Sequence, residues 1–447
     1  MLAEQPRASM TGGPVGPLLF RLTLPMVGGV MATIGYSVAE TWFVAHLGPD
    51  VLAAASFTFP VTMVIISLAI GLSAGTSAVV ARALGGAEDA GALVVDAMLL
   101  TLGLGFAAAL GGELALAPLF RLMGAPGAIV PLILSYMRLW LPAAVLLMTA
   151  TVGLSAGRAA GDARFQGLAM IGAALLNAAV AAPLILGVGG WPGLGLPGAP
   201  IANTVAWGAM LGATLWRLRG LGLLSSGWPT MARFLASARR VLQVGLPAAG
   251  TNTIIPVSAA IVTAILATYG ARAVAGFGVV GRVEGLSMVI AYALSAIMNP
   301  FVGQNAAAGR LDRVREALRV SFIFCMGLGA VLTAALYGAG GWIAARFTQD
   351  AEVAAAVVAY LHLVPLSYGA AGIIAVVNAS FNGLNRPGAA VVVSVARTMV
   401  VNVPVAWLGG RLFGVSGVFL GVGVANLAVG LAAALWIWRA TRPPTPS

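Results

Sequence analysis

Twelve apolar runs dominate this chain, each near or above the roughly 20 residues that a helix needs to cross a bilayer. In the first half they are Leu18–His46, Val51–Ala81, Gly91–Leu110, Ile129–Leu154, Phe165–Val188 and Gly198–Trp216. In the second half they are Val241–Thr268, Ala273–Gly303, Val314–Tyr337, Val353–Phe381, Ala389–Leu408 and Val415–Trp438. Backbone polar groups find no water in lipid, so only helices and closed barrels span it, and runs of this length select helices. Composition agrees: hydrophobic residues are 60% of 447 and charged residues 8%, with a mean hydropathy of +0.99. The 59 Gly and 24 Pro would weaken soluble helices, whereas in membranes they allow close packing and bends. The expected fold is an all-α integral membrane protein with twelve transmembrane helices.

The net charge of +11 does not point to nucleic acid. All 24 basic residues are Arg, and they gather at the ends of the runs rather than on one face. With the runs alternating in direction, 17 Arg fall on the side shared by both termini, among them Arg7, Arg21, Arg82, Arg158, Arg217, Arg233 and Arg310. The other side holds Arg121, Arg272, Arg346 and Arg411, while Arg138, Arg282 and Arg397 lie within spans. Basic loops stay cytoplasmic. Both termini are therefore expected in the cytoplasm, with the chain in the cell inner (plasma) membrane as a multi-pass monomer. The residues before the first run lack the apolar core of a cleavable signal, so the first span is expected to insert and stay.

The two halves repeat. Shifted by 222 residues, Leu24-Pro25 falls on Leu246-Pro247, Gly28 on Gly250, Gly48 on Gly270 and Leu72-Ser73-Ala74 on Leu294-Ser295-Ala296. With a slightly larger shift, Asn177 meets Asn402 and Ala202-Asn203 meets Ala425-Asn426. Two pseudo-symmetric six-helix bundles follow, an N-terminal lobe of residues 1–225 and a C-terminal lobe of residues 226–447. An Arg-rich connector after Trp216, with room for an interfacial helix, joins them. Six helices are an even number, so both lobes start on the same side and the repeats run parallel. Two such bundles can rock to open a cleft to either side in turn, as a carrier does and a channel does not.

Glu40 is the expensive residue. It lies in the outer half of a spanning run kinked by Pro25, where a carboxylate near the bilayer centre costs roughly 2.5–3.5 kcal/mol and is usually functional. Tyr36 sits one turn away on the same helical face. Apolar surroundings favour the neutral form of a carboxyl, which suits a residue that takes up and gives up a proton. The position 222 residues on is Val262, so the acid is an addition to one bundle and not part of the shared scaffold.

Four further patterns stand out: RVEGLSMVIAYALSAIMNPFVGQNAAAGRLDRVREA from Arg282, NASFNGLNRPGAA from Asn378, GRAAGDAR from Gly157 and the LP…Y…E…LG pattern of the opening span. In these motifs, and over nearly its whole length, the chain resembles the multidrug and toxic compound extrusion (MATE) family. The resemblance implies an antiporter that expels organic cations and other amphipathic compounds against inward H⁺ or Na⁺. It also implies that Pro25 is a helix-one kink, that Tyr36 and Glu40 are the family's helix-one Tyr/acid pair, and that Asn177 partners the acid. Asn203 or Thr204 matches a span-six amide or hydroxyl, and Tyr136 a span-four tyrosine. The chain looks closer to the DinF-like branch than to the NorM-like branch, but the second acid of the former is Ala181 here. One carboxylate with neutral oxygens makes a poor cage for a hard cation. The expected coupling ion is H⁺, with Na⁺ the alternative.

Other residues read less sharply. Glu284, two residues after Arg282, is either a satisfied interior charge or part of a substrate path. Asp96 reads as a cap or partner to a cytoplasmic Arg, and Arg138 and Arg397 as snorkelling or paired. Met26 and Met63 are candidates for an adaptable cleft lining, with packing the simpler role. Lone His46 and His362 form no metal cluster, and single Cys325 permits no internal disulfide. GLSAGTSA lacks the Lys of a phosphate loop, and no catalytic triad pattern occurs, so neither an enzyme nor a cofactor is expected. The rival reading is a flippase for a lipid-linked or other amphipathic metabolite, which would want more intramembrane Arg for phosphate.

Overall fold

The computed structural model describes residues 10–86, 88–224 and 229–442; Arg7 and the expected 225/226 lobe boundary lie outside them. The described residues are almost wholly helical. The first half holds α1 (Val15–Ala45), α2 (Pro49–Gly85), α3 (Ala90–Leu122), α4 (Val130–Ala159), α5 (Ala163–Leu186) and α6 (Gly198–Gly220). The second holds α7 (Met231–Ala267), α8 (Ala271–Ser287), α9 (Val289–Ala307), α10 (Leu311–Phe347), α11 (Ala351–Leu363), α12 (Tyr368–Gly383), α13 (Pro387–Val395) and α14 (Val403–Ala440). A 3₁₀ turn, Pro365–Ser367, joins α11 to α12, and a π-helical turn, Ala396–Asn402, joins α13 to α14.

These elements group into the twelve spans. α8 and α9 form one span bent by 48°, and α11 with α12 form another through the 3₁₀ turn. The 54-residue stretch Pro387–Ala440 is two spans, because the backbone leaves helical geometry at Phe413 (φ −132°) and Gly414 (φ 61°). Across that reversal Gly409 and Gly417 lie so close that a Cβ on either would collide with the other's carbonyl. α7 begins at Met231, so residues 231–240 of the Arg-rich connector, which had room for an interfacial helix, form the first turns of α7. Helix geometry persists beyond the apolar stretch there because Ser237 and Val241 are buried.

Among the described residues, one compact unit comprises Leu24–Ala249 and the other Met10–Thr23 with residues 250–442. The divisions fall inside α1 and α7, beside the two Leu-Pro steps of the repeat. Gly48 and Gly270, matched by the same repeat, adopt φ of 110° and 107° immediately before α2 and α8. A side chain is disfavoured at such φ, which gives both turns a reason for Gly.

In the first unit, Leu72, Val79, Val94, Val152, Leu218 and Val241 anchor one apolar core. Leu116, Phe120, Ile133, Trp140 and Ile185 anchor another. Gly71 of α2 packs on α7 so tightly that a Cβ would lie 2.5 Å from the Ala249 Cβ, the small-residue contact typical of membrane helices. In the second unit, Leu266, Val280, Val357, Tyr360 and Phe419 share a core. There Arg313 (7% exposed) clamps the residues before α1. Its guanidinium donates to the carbonyls of Gly13 (2.7 Å) and Gly12 (3.0 Å) and to Asn305 Oδ1 (3.0 Å). The Gln304 side chain accepts from Met10 N at 3.0 Å. The GQN…R stretch of the second-half motif thus satisfies a terminal backbone segment.

Candidate functional site

The site in the first unit starts from Pro25, inside α1. Pro25 removes an N–H from the helix ladder, and α5 approaches here through Gly167, where a Cβ would lie 2.6 Å from the Pro25 carbonyl carbon. Met26 is buried beside it and Met63 partly buried. Three turns on, Tyr36 and Glu40 share a face, and the Tyr36 hydroxyl is hydrogen-bonded to Glu40 Oε2. The same hydroxyl lies 2.6 Å from Asn203 Oδ1 on α6. That oxygen also accepts from Asn177 Nδ2 of α5 at 2.6 Å. Tyr136 of α4 approaches the Glu40 carboxyl too, with its side chain buried. Four side chains from α1, α4, α5 and α6 thus gather around one acid. Asn177 and Asn203 are each 1% exposed, and Asn177 Oδ1 has no partner among the described residues.

Thr204 is not brought into this group. It is exposed, and its hydroxyl donates to Pro200 O within its own helix at 2.9 Å.

Glu284 belongs to a second cluster, within the second unit. Tyr360 of α11 donates to Glu284 Oε2. Nearby, Arg397 Nε, in the π-helical turn, donates to Asn426 Oδ1 at 2.8 Å, and Asn426 Nδ2 donates to Ser367 Oγ at 2.9 Å. From the sequence Glu284 reads as a satisfied interior charge or part of a substrate path and Arg397 as snorkelling or paired, with no partner named for either and Tyr360 not singled out. The signal was there: Tyr360 lies 224 residues after Tyr136, within one residue of the step that relates Asn203 to Asn426.

A helical membrane-spanning scaffold with an acid hydrogen-bonded to Tyr36 in one unit narrows the class, and comparison with known proteins decides it. The MatE family model matches residues 25–182 and 247–408. The chain belongs to the MatE family. It is 34% identical over 429 residues to a FAD transporter of Shewanella oneidensis, covering 95% of both chains. It is 26% identical over 398 residues to the probable multidrug resistance protein YoeA of Bacillus subtilis, covering 88% of this chain and 84% of that one. Among solved structures it resembles the Vibrio cholerae MATE transporter VcmN in the bent form, at 28% identity and a TM-score of 0.89, covering 96% of this chain and 97% of that one. MatE proteins are membrane transporters, and this chain is one of them.

Within this MatE chain, Ala181 is fully buried in the core around Ile185 and Ala202, so the position of the missing second acid is filled by packing. Asp96, also fully buried, accepts from Arg233 Nη2 (3.0 Å) and Ser237 Oγ (2.7 Å). Arg138 pairs with Glu113 at 2.7 Å. His46 and His362 ring nitrogens contact the Trp42 and Tyr337 carbonyls at 2.8 and 3.2 Å. Among the described residues no three His, Cys, Asp or Glu side chains group as metal ligands.

Proposed function

We propose that this MatE protein is an H⁺-coupled exporter of amphipathic organic compounds that works by alternating access, with Glu40 carrying the coupling proton. One observation supports this most: the hydrogen count between Glu40 and Asn203. A tyrosine hydroxyl has one proton to donate. When Glu40 is ionised, the Glu40 carboxylate and Asn203 Oδ1 compete for that proton. When Glu40 is protonated, it donates to the Tyr36 oxygen, Tyr36 donates to Asn203, and both contacts are satisfied. Uptake of one proton therefore redirects Tyr36 and tells α5 and α6, through Asn203 and Asn177, which state α1 is in.

Sodium is the weaker candidate, because the group offers one carboxylate and Ala181 adds no second charge. The Arg distribution favours both termini on the cytoplasmic side, so that protons enter from outside and substrate leaves. For the substrate, the multidrug relatives favour varied amphipathic compounds. The FAD transporter, the relative at 34% identity, favours a second and narrower reading in which a flavin dinucleotide is exported.

The test is dye/H⁺ antiport in proteoliposomes made with wild type, Glu40→Gln and Glu40→Asp, with Na⁺ titrated at fixed pH. Loss of coupling in the Gln variant and partial retention in the Asp variant are expected, with little response to Na⁺. Full coupling in Glu40→Gln would remove Glu40 from the mechanism, and a several-fold Na⁺ acceleration would reassign the ion.

A further inference from the structure

The repeat gives each unit a buried tyrosine and a buried asparagine at matching positions, Tyr136 with Asn203 and Tyr360 with Asn426. The two units equip that shared frame differently. In the first, the asparagine oxygen meets a neutral hydroxyl and amide next to an acid from α1. In the second, the asparagine oxygen holds a guanidinium, Arg397, while the acid comes from α8. Arg397 sits ten residues into a span that begins at Pro387, about 15 Å along the helix and so near mid-bilayer. An arginine there is costly and is normally paired or functional.

Arg397 forms no ion pair among the described residues; its one hydrogen bond uses Nε and leaves the two terminal nitrogens for another group. A guanidinium fixed by Nε presents the planar edge that carboxylate and phosphate oxygens engage in pairs. Its charge and that of Glu284 both fall on the hydroxyls of Tyr292 and Tyr360. Tyr292 of α9 is 43% exposed and is an aromatic side chain within electrostatic range of both charges. The backbone at Arg397 is π-helical, a rare geometry that recurs at functional sites.

We infer that the Tyr292–Glu284–Tyr360–Arg397 cluster of the second unit is a substrate site for an organic anion. Arg397 takes the carboxylate or phosphate, and Tyr292 takes a planar ring attached to it. The inference rests on the exporter reading for its physiological meaning and adds that substrate and coupling proton occupy different units. A phosphorylated flavin has the required pair of features, an anionic group and a flat aromatic ring, whereas riboflavin keeps the ring and lacks the anion.

Equilibrium binding to the purified full-length protein in neutral detergent, followed by flavin fluorescence, compares flavin mononucleotide with riboflavin. Wild type should bind the phosphorylated compound more tightly by about tenfold or more, the scale of one charge-assisted hydrogen bond. Arg397→Gln should erase that preference by weakening flavin mononucleotide alone, and Arg397→Lys should restore part of it. Thermal melts of the variants establish that they fold.

No preference in wild type, equal weakening of both ligands in Arg397→Gln, or an equal loss of preference in Glu40→Gln would each overturn the inference. Displacement of flavin mononucleotide by phosphatidylglycerol as readily as by flavin adenine dinucleotide would overturn it as well, by assigning the site to lipid headgroups. Binding is read at equilibrium without a gradient, so failure of the exporter or proton-coupling reading shows separately, in the proteoliposome assay.

Discussion

Tyr36 and Asn203 meet at 2.6 Å, hydroxyl to amide oxygen, across 167 residues of sequence. The contact ties the helix that carries the acid to the helix of the repeat-matched asparagine, and Tyr36 supplies its hydroxyl. Tyr36→Phe removes that link while keeping the ring. Loss of one such hydrogen bond is worth about 1 kcal/mol, so initial antiport rates under an imposed pH gradient should fall roughly fivefold. Wild-type rates in Tyr36→Phe would leave the relay without a role.

Gly167 controls how closely α5 meets α1 at Pro25. A Cβ at this position would lie 2.6 Å from the Pro25 carbonyl carbon and 3.1 Å from the Pro25 Cβ, and backbone cannot move aside as a flexible side chain would. Gly167→Ala should cost about 1–3 kcal/mol, the usual range for overpacking. Gly172→Ala, on the same helix with nothing within 4 Å, serves as the control. Melting temperatures in detergent distinguish them: a clear drop for the first and little change for the second.

The spans were legible because lipid demands long apolar helices, and the runs marked them even where α11, the 3₁₀ turn and α12 break the helical ladder. Helix ends were less so. α7 starts ten residues before Val241 because its first turns lie on the core of the first unit, which no hydropathy pattern records. Tyr36 and Glu40 could be paired from their four-residue spacing. Glu284 and Tyr360 could not, being 76 residues apart on helices whose proximity only the fold creates. The same limit hid the link of Arg397 to Asn426. Thr204 looked interchangeable with Asn203, but one residue turns a helix by about 100° and left it on the exposed face.

The Asp96–Arg233 pair should respond unequally to loss of either partner. Asp96 has a fully buried side chain, whereas that of Arg233 is 34% exposed. Arg233→Ala strands a buried carboxylate with only Ser237 to satisfy it, for which about 3–5 kcal/mol is expected. Asp96→Ala frees an arginine that already reaches solvent, so the loss should be about 1–2 kcal/mol. Chemical or thermal denaturation of the two variants in one detergent gives the order. Equal losses, or the reverse order, would contradict the burial argument.

Asp350 makes the start of α11 sensitive to acid. Its Oδ1 accepts from Val353 N (3.3 Å) and Glu352 N (2.9 Å), and its Oδ2 pairs with Arg272 Nε at 2.8 Å. The hydrogen bond from Val353, then that from Glu352 and the charge of Arg272, hold this carboxyl below its ordinary value. A carboxyl lowered in the folded state contributes stability above its unfolded value of about 4 and loses it as the pH falls through the lower, folded value. Amide hydrogen exchange across residues 350–356, corrected for its intrinsic pH dependence, should therefore stay slow at neutral pH and accelerate below pH about 4. Asp350→Asn keeps a capping oxygen but removes the charge, so its exchange should change little over the same window. An acid-induced rise of equal size in Asp350→Asn would place the sensitive group elsewhere on the loop between α10 and α11.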